Sequence, residues 1–475
     1  MTEKGSKLLQ FIAAATGNMC VVAGGAMMGW TSPILPKLVS SEVAADNPFG
    51  RPISDEEASW IGSLVPLGTV FGAIIAGYLA ERLGRKKTLL LCTLPYTIGW
   101  ILVGTATNIP QLYVARLISG IALAVPFTVL PMYVGEIAET SIRGVLGSFL
   151  QLFITIGFLF SYAIGPYVSY VVLCYSCATI PLIFFLCFLP MPESPYYLLS
   201  KGRKEDALQN LARLRGKTVQ GVQKEADEMQ AIVEEAFRNE ASMADLFTVK
   251  ANFKALLFTC ALVAFQQFSG IDVMLFYTEE IFISAHSTIP SSISTIVIGV
   301  VQVAASVVTP FVVDRLGRRI LLVFSGVGET ITLGALGLFF YLMEVSKMDT
   351  SSISWLPIGC LMVFISTYSV GWGPLPWAVM GEMFASDVKS KASSITVCIC
   401  WFIAFIITKF FSNVKVAFGS HTAFWIFGVC AALSVVFTIF LLPETKGKTL
   451  QQIQNELSGD LTEVPELNAS TSSKQ

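Results

Sequence analysis

Two glutamines and an aspartate lie inside an otherwise apolar segment of this chain. The segment QQFSGIDVMLFYTEEIF (266–282) carries Gln266, Gln267 and Asp272 among isoleucine, valine, methionine, leucine and phenylalanine. Buried amides and carboxylates are unfavourable unless they gain hydrogen-bonding partners. An amide both donates and accepts hydrogen bonds, and an ionised carboxylate accepts them. The chemistry that these residues offer is therefore hydrogen bonding in an apolar surrounding.

Other kinds of chemistry find little support in the sequence. The ten cysteines fall mostly in apolar runs, and the two histidines, His286 and His421, belong to no metal-ligand pattern. No nucleophile–base constellation and no phosphate-cradling glycine loop is evident, so we expect neither an enzyme nor a bound cofactor or metal. A net charge of −2 gives no reason to expect nucleic acid as a partner.

The composition is that of a membrane protein. Of the 475 residues, 54% are hydrophobic and only 13% are charged, whereas a soluble domain carries about 25% charged residues. The apolar run from about Phe11 to Leu35 is too long for the core of a signal peptide and has no cleavage site, so it is interpreted as the first membrane span.

Twelve spans are predicted from runs of about 20 apolar residues. They lie near 11–35, 59–80, 88–107, 111–134, 146–168, 170–190, 253–283, 290–313, 320–342, 354–384, 393–417 and 421–442. The predicted fold is an all-α membrane protein with two six-helix bundles, 1–190 and 253–445. Between them, 191–252 is predicted to form short cytosolic amphipathic helices, because apolar residues recur there at helical spacing. The tail 446–475 is predicted to be largely disordered.

Basic residues in the short loops predict the orientation. ERLGRKK (81–87) follows the second span and DRLGRR (314–319) follows the eighth, whereas the loops 108–111 and 167–170 on the other side contain no Lys or Arg. Positively charged loops remain in the cytosol. Both termini are therefore expected on the cytosolic side.

The two halves repeat each other. Three pairs of similar segments occur in the same order in the two halves. They are YLAERLGRKKTLLL (78–91) and FVVDRLGRRILLV (311–323), PMYVGEIAETSIRG (131–144) and PWAVMGEMFASDVKSKA (376–392), and PESPYYLLSKG (192–202) and PETKGKTLQQI (443–453). Repeated halves of this kind place a substrate site between them, near the middle of the bilayer.

The motifs as a set resemble the sugar porter branch of the major facilitator superfamily over nearly the whole chain. They are the paired basic loops, PESP after the sixth span, QQFSGI in the seventh, GPLPW in the tenth and PETKG after the twelfth. Within that branch, GWTSPILPKL (29–38) and DEEASWIGSLVPLG (55–68) look like insect trehalose transporters and related glucose transporters. The resemblance implies transport of a small-molecule sugar by alternating access.

The resemblance also implies which side chains contact the sugar. A sugar needs amides that donate and accept hydrogen bonds and aromatic faces for its C–H surface. The implied contacts are Gln151, Gln266, Gln267, Asp272, Gln302, Trp377 and Trp401. Single glutamines also hold membrane helices together, so Gln302 alone is open to that simpler interpretation.

Two spans are predicted to break at the site. On a straight helix Gln267 and Asp272 would lie about 140° apart, but Gly270 between them offers a break. Unwound backbone in a membrane is tolerated where it lines a cavity. Pro374 and Pro376 in GWGPLP (371–376) predict a similar break in the tenth span. By analogy with the family, Tyr277 closes the outer side.

Asp272 departs from the family pattern, which has Asn at this position. A carboxylate at the membrane centre costs roughly 2.5–3.5 kcal/mol on insertion scales. Asp272 could be a neutral equivalent of Asn, an ionised acceptor of sugar hydroxyls, or a proton carrier. Proton-coupled sugar porters typically bear an Asp in the first span, where this chain has Thr31. Facilitated diffusion is therefore favoured, with proton symport through Asp272 as the alternative.

Charged residues of both signs recur at matching positions on the cytosolic side of each half. They are Glu81, Arg82, Arg85, Glu136, Arg143 and Glu193 in the first half and Asp314, Arg315, Arg318, Glu382, Lys389 and Glu444 in the second. Topology explains the cations but not the acids that accompany them. The resemblance implies a salt-bridge network that ties the halves together on the inner side and favours the outward-open state.

The sequence thus predicts a uniporter for trehalose or glucose-like sugars in the plasma membrane, functional as a monomer. A non-transporting sugar sensor is disfavoured because the tail lacks a long signalling extension. An organic-ion carrier is disfavoured because Gln and Trp stand where intramembrane cations would be needed.

Overall fold

The protein is described here from a computed structural model that covers residues 5–42, 47–238, 242–287, 289–384, 386–446, 448 and 450–458. These residues form helices, and no strand occurs among them. Twelve helical segments of the described chain are long and apolar enough to cross a membrane. The predicted fold class is therefore confirmed, and the chain is a multi-pass membrane protein.

The spans are numbered here in chain order, and several consist of two or three helices. Their bounds are Leu8–Gly29 with Thr31–Val39, Asp55–Leu83, Arg85–Leu91 with Thr93–Gly104, Ile109–Ile137, Arg143–Ile164, Tyr170–Phe188, Lys250–Phe268 with Ile271–Phe276 and Thr278–Ser284, Ser291–Leu316, Arg318–Glu344, Leu356–Val370 with Leu375–Met383, Ser386–Phe418, and Ser420–Phe440.

The second span shows why the helices exceed the predicted spans. Ser54 accepts a hydrogen bond from the backbone N–H of Glu57, and the Glu57 side chain accepts one from the N–H of Ser54. This capping box satisfies donors that would otherwise lack partners at the helix start. The helix can therefore begin in water, and its 29 residues extend about 43 Å, well beyond the apolar layer.

The segment between the halves contains the predicted amphipathic helices. Lys204–Arg215 and Gln223–Arg238 are the longer ones, and they bury apolar side chains at helical spacing, among them Leu211 and Val233. Shorter helical pieces are Pro195–Ser200, Gln220–Val222 and Asp245–Thr248. Ile232, which the spacing would place on the buried face, is instead 52% exposed.

Part of the tail is helical, and the prediction that 446–475 is largely disordered stays a prediction. Leu450–Ser458 form a helix that packs on the seventh and tenth spans. Ile453 and Leu457 are buried, and the Gln454 side chain donates to the carbonyl of Met383. A short amphipathic helix with such an anchoring contact is stabilised by tertiary packing. The predicted disorder of 459–475 lies outside the described residues.

The two predicted bundles meet along two seams. The second span packs on the eleventh, and the fifth packs on the eighth. We call the end of the molecule that carries the loops 81–87 and 314–319 the basic end, and the opposite end the distal end.

Candidate functional site

The seventh span is broken at Gly270, as predicted. Its first helix ends at Phe268, Gly270 has φ +79°, and a new helix starts at Ile271. A Cβ at residue 270 would lie 2.6 Å from the Phe427 ring, so both the backbone conformation and the packing require glycine. This break lies between Gln267 and Asp272, so the angle of about 140° that a straight helix would give does not describe how these two side chains are placed.

The tenth span is broken over Gly371–Pro374, again as predicted. The helix Leu356–Val370 ends there, and Leu375–Met383 continues the span. The break frees the carbonyls of Trp372 and Gly373, which accept hydrogen bonds of 2.7 and 2.9 Å from Nε2 of Gln266. Both amide hydrogens of Gln266 are thus used within the protein. Its oxygen lies 3.9 Å from Sγ of Cys400 and, with two lone pairs, is the atom that can still accept from a ligand.

Four of the seven predicted sugar contacts carry a buried polar atom that has no hydrogen-bonding partner among the described residues. These atoms are Oε1 of Gln267, Oδ2 of Asp272, Oε1 of Gln302 and Nε1 of Trp401. Buried polar atoms are normally hydrogen-bonded, so the missing partner of each of these atoms needs an explanation. Three are oxygens that can accept from hydroxyl groups and one is a donor, which is a set that a polyol could satisfy.

The seventh and eleventh spans meet beside these atoms. Nε2 of Gln267 donates to Sγ of Cys400 at 3.1 Å. The neighbouring Trp401 lies edge-on to Phe127 of the first half, with ring centroids 5.4 Å apart. The site therefore lies where the two halves meet.

The remaining predicted contacts lie on the walls of this region. Gln151 on the fifth span and Gln302 on the eighth belong to helices that pack on each other. The helix face of Gln151 continues toward the basic end through Gly147 and Gly144, where an added Cβ would meet no atom within 4 Å. Trp377 is half-buried and follows the break of the tenth span.

At the distal end the two halves touch through Tyr277. Its hydroxyl donates to the carbonyl of Thr408 at 3.3 Å. The same oxygen lies 2.7 Å from the position of a Cβ on Gly62, which belongs to the first half. The bond to Thr408 lies within the second half, whereas other hydrogen bonds join the halves. The Tyr162 hydroxyl donates to the carbonyl of Leu275 at 2.5 Å, and the N–H of Glu279 donates to the Ser32 hydroxyl at 3.1 Å.

An ion pair that the sequence had not suggested lies beside this contact. Nζ of Lys409 on the eleventh span lies 2.7 Å from Oε1 of Glu56 and 3.0 Å from the Ser59 hydroxyl, both on the second span. The Lys409 side chain is 6% exposed, and its ammonium group lies 4.8 Å from the centre of the Trp60 ring. A cation over an aromatic face gains further attraction. Together these contacts close the distal end.

At the basic end, the charged residues form one cluster in each half. In the first half, Arg85 pairs with Glu136 at 2.9 Å, and the Ser194 hydroxyl donates to the same carboxylate. The carboxylate of Glu193 accepts from the backbone N–H groups of Arg85 and Lys86 at 3.1 and 3.0 Å. Carboxylates stabilise the first turn of a helix in this way.

The second half repeats this arrangement. Arg318 pairs with Glu382 at 2.8 Å, and the Thr445 hydroxyl donates to Glu382 at 2.6 Å. Glu444 accepts from the N–H groups of Arg318 and Arg319 at 3.3 and 3.1 Å. In this distal-closed structure, the ion pairs formed by described members of the predicted network thus stay within one half.

The other predicted members of the network make different contacts. Arg82 lies against the Tyr78 ring, Arg143 reaches the carbonyl of Ala138 at 3.5 Å, and Lys389 donates to the carbonyl of Gly381 at 2.8 Å. Glu81 and Arg315 are exposed, and the side chain of Asp314 lies outside the described residues.

Sequence reasoning missed three charged residues inside spans. Arg116 is fully buried and donates to the carbonyls of Ile61 and Met27 at 3.0 Å each. Glu329 is 1% exposed and accepts from Ser325 at 2.9 Å. Lys409 is described above. Their charge alone was the available signal, because an ionisable residue inside a span is a functional candidate by default.

Comparison with known proteins yields one family and many relatives. The family model described as "Sugar (and other) transporter" matches residues 17–457. The facilitated trehalose transporter Tret1 of Anopheles gambiae is 36% identical over 456 residues, which cover 96% of this chain and 56% of that protein. For the Tret1 of Aedes aegypti and of Culex quinquefasciatus the identity is 35%, and the match covers 55% and 86% of those proteins. The chain therefore spans little more than half the length of two of these curated relatives.

Solved structures match the fold. The xylose transporter XylE of E. coli, in a partially occluded inward-open conformation, gives a TM-score of 0.75 with 22% identity, covering 93% of this chain and 99% of that one. The proton:xylose symporter XylE bound to 6-bromo-6-deoxy-D-glucose gives a TM-score of 0.72, also at 22% identity, with 94% and 98% covered.

Proposed function

We propose that this chain, which belongs to the family of sugar (and other) transporters, is a uniporter that moves trehalose or a glucose-like sugar by alternating access. The observation that carries the proposal is the group of unpartnered buried polar atoms on Gln267, Asp272, Gln302 and Trp401. They lie beside two broken spans and between two halves that touch at the distal end. A sugar could supply the missing hydrogen bonds and leave once the closed end changes.

The surroundings of Arg116 favour facilitated diffusion over proton coupling. A buried arginine paired with a carboxylate would respond to protonation of that carboxylate, because the carboxylate would lose its charge and the arginine its ion-pair partner. Arg116 is instead held by two backbone carbonyls. Thr31, where the proton-coupled relatives have an acid, donates to the carbonyl of Met28 at 2.8 Å and carries no charge.

The specific observation for the rival, a proton–sugar symporter, is Asp272. Its side chain is buried, and one of its oxygens has no partner in the part of the chain that the structure describes. A carboxylate in that setting could carry a proton together with the sugar, and relatives of the same fold include a protein named as a proton symporter.

The proposal includes the cellular arrangement. The basic end faces the cytosol, so that both termini are cytosolic, and the chain works as a monomer in the plasma membrane. Residues 1–190 and 253–445 move against each other as two bundles, joined by 191–252, and 446–475 form the cytosolic tail. No enzymatic activity is part of the proposal.

The charges at the basic end take part in the same cycle. We infer that the clusters around Arg85 and Arg318, with Glu193 and Glu444, approach each other when the distal end opens. They would then form the network that favours the outward-open state. In the distal-closed structure the ion pairs of Arg85 and Arg318 stay within one half, which supports a network between the halves that forms only in the opposite state.

The decisive experiment is uptake of labelled trehalose and labelled glucose into proteoliposomes. Each sugar is tested with and without an inward proton gradient, for the native chain and for Asp272→Asn. The expected result is uptake that only equilibrates, regardless of the gradient, and the faster label identifies the substrate. Accumulation that needs the gradient and is lost in Asp272→Asn would instead make the protein a symporter with Asp272 as its coupling site. Uptake of neither label above that of protein-free liposomes would contradict the proposal.

A further inference from the structure

Glu329 is a carboxylate in the interior of the ninth span, away from the predicted sugar contacts. Its side chain is 1% exposed, and Ser325, one helical turn earlier, is fully buried. The Ser325 hydroxyl donates to Oε1 of Glu329 at 2.9 Å. Because such a carboxylate is costly inside a membrane, its position calls for a role beyond packing.

The ninth span supports the break of the tenth. The backbone N–H of Trp372 lies within the broken turn, and it donates to Oγ of Ser325 at 3.2 Å. The Trp372 indole N–H donates to the carbonyl of Leu322 at 3.1 Å. At Gly371 a Cβ would lie 2.3 Å from Cβ of Ser325, so this close approach of the two spans leaves no room for a side chain at residue 371.

The carboxylate decides how the serine is oriented. A serine hydroxyl has one hydrogen, and in a helix it commonly donates to the carbonyl four residues earlier. Here Glu329 takes that hydrogen, which turns the oxygen lone pairs of Ser325 toward the N–H of Trp372. A backbone N–H that is buried without an acceptor is strongly disfavoured, so Ser325 and Glu329 together stabilise the broken turn.

The broken turn in turn orients Gln266. The carbonyls of Trp372 and Gly373 accept both bonds of the Gln266 amide nitrogen, at 2.7 and 2.9 Å. A continuous chain of hydrogen bonds therefore runs from Glu329 through Ser325 and the residue 372 backbone to Gln266. Its last member keeps the side-chain oxygen, which accepts a long contact of 3.9 Å from the Cys400 thiol and has room for a further donor.

We propose that Glu329 is a positioning residue for sugar binding, which acts through Ser325 and the break of the tenth span to hold the Gln266 oxygen toward the sugar. This inference rests on the proposed function, in which Gln266 contacts the sugar. It requires an acceptor oxygen at residue 329, and a negative charge is not needed.

The test is the KM of sugar uptake in proteoliposomes, at matched amounts of reconstituted protein, with the labelled sugar that the native chain transports faster. Glu329→Leu and Ser325→Ala are expected to raise KM about tenfold, as loss of one well-placed hydrogen bond would, with a smaller change in maximal rate. Glu329→Gln keeps the acceptor and should stay within about twofold of the native KM. Thr332→Val serves as the matched control, because it is a buried change in the same helix and the Thr332 hydroxyl donates to backbone carbonyls of that helix, those of Gly328 and Glu329.

Gln266→Ala separates the two hypotheses. If Gln266→Ala raises KM while Glu329→Leu and Ser325→Ala leave KM unchanged, the positioning role of Glu329 is wrong, and the proposal that Gln266 contacts the sugar is retained. If Gln266→Ala leaves KM unchanged, the proposed contact is wrong, and the positioning role falls with it. An equal rise of KM in Thr332→Val would reduce the effect to general disturbance of the ninth span and overturn the inference. Ser325→Ala keeps the test valid should Glu329→Leu fail to fold.

Discussion

The two ends of the molecule use charged residues in opposite ways. At the distal end, Lys409 of the second half pairs with Glu56 of the first, and Tyr277 packs against Gly62 across the same boundary. At the basic end, Arg85 and Arg318 each pair with a glutamate of their own half. One set of contacts joins the halves and the other stabilises each half by itself.

This difference separates two kinds of mutational effect. A contact between the halves exists in only one of the conformations that a carrier visits, so its loss shifts the balance between them. A contact within one half can persist in both conformations, so its loss acts on stability or on the rate of exchange. The expected effects below are ordered from the largest to the smallest.

The largest effect is expected for Lys409→Met. It removes the cation that joins the halves at the distal end and should raise the fraction of distal-open protein. Apparent affinity follows the fraction of binding-competent protein, so KM measured from the distal side should fall and KM from the basic side should rise. We expect their ratio to change by about tenfold in uptake from each side of oriented proteoliposomes.

Lys415→Met is the matched control for this experiment. Lys415 lies on the same span near the same end and pairs at 2.8 Å with Glu280, which belongs to its own half. Its loss should leave the ratio of the two KM values unchanged. An equal shift in both variants, or none in Lys409→Met, would contradict the assignment of Lys409 to the closure.

The next effect is expected at the basic end, for Arg318→Ala. It breaks a partly exposed ion pair with Glu382, worth up to about 1 kcal/mol, which corresponds to at most about fivefold in turnover. Sugar binding, measured as equilibrium binding of the labelled sugar, should be retained. Arg85→Ala should behave alike, because the two clusters repeat each other.

Arg82→Ala provides the comparison within the same loop. Arg82 lies against Tyr78 and contributes no ion pair to the cluster of the described residues, so its loss should slow turnover less than that of Arg318. Normal turnover in Arg85→Ala and Arg318→Ala at normal protein levels would show that the clusters do not take part in the transport cycle.

A smaller shift in the same direction as for Lys409→Met is expected for Gly62→Ala. The added methyl group would lie 2.7 Å from the Tyr277 hydroxyl, so the ring must move and the closure weakens. We expect about a threefold change in the ratio of the two KM values. Gly77→Ala on the same helix meets no atom within 4 Å and gains the same helix propensity, so any shift there would argue against the steric explanation.

The smallest effect is expected for Glu444→Gln. Burial raises the pKa of Glu444, but backbone N–H groups of Lys446, Arg319, Arg318 and Thr445 donate to it and leave the pKa below its ordinary value. A lowered pKa in the folded state means that the stabilisation is present at neutral pH and is lost as the pH falls through that pKa.

Thermal unfolding of the native chain and of Glu444→Gln should therefore differ slightly at pH 7, with the native chain more stable. The difference should shrink as the pH is lowered toward 4. A difference that grows on acidification would contradict the capping role of the ionised carboxylate.

Much of the fold followed from local patterns. Twelve apolar runs, basic loops and three pairs of repeated segments predicted two six-helix halves. Gly270 and the GWGPLP segment predicted the broken spans. The capping box at Ser54 and the helix Leu450–Ser458 were not predicted from the sequence. The first lengthens a span by hydrogen bonds at its start, and the second depends on contacts with residues far away in the sequence.

Only part of the candidate site could be predicted from the sequence. The polar residue types in the seventh span indicated hydrogen bonding. Nothing in the sequence, however, distinguishes Gln266, whose amide nitrogen is fully used, from Gln267, whose oxygen finds no partner among the described residues. Glu329 and Lys409 carried a visible signal, a charge within a span. The partners of Lys409 lie on another helix, and Ser325, the partner of Glu329, gains its importance from the N–H of Trp372 on the tenth span.

The sequence by itself determined which segments cross the membrane and where two of them break, because hydropathy, glycine and proline act on the chain locally. The tertiary structure decided which polar atoms remain unpaired and which charges join the two halves. Those properties depend on distances between spans that are far apart in the chain, such as Lys409 and Glu56, and no local pattern contains such distances.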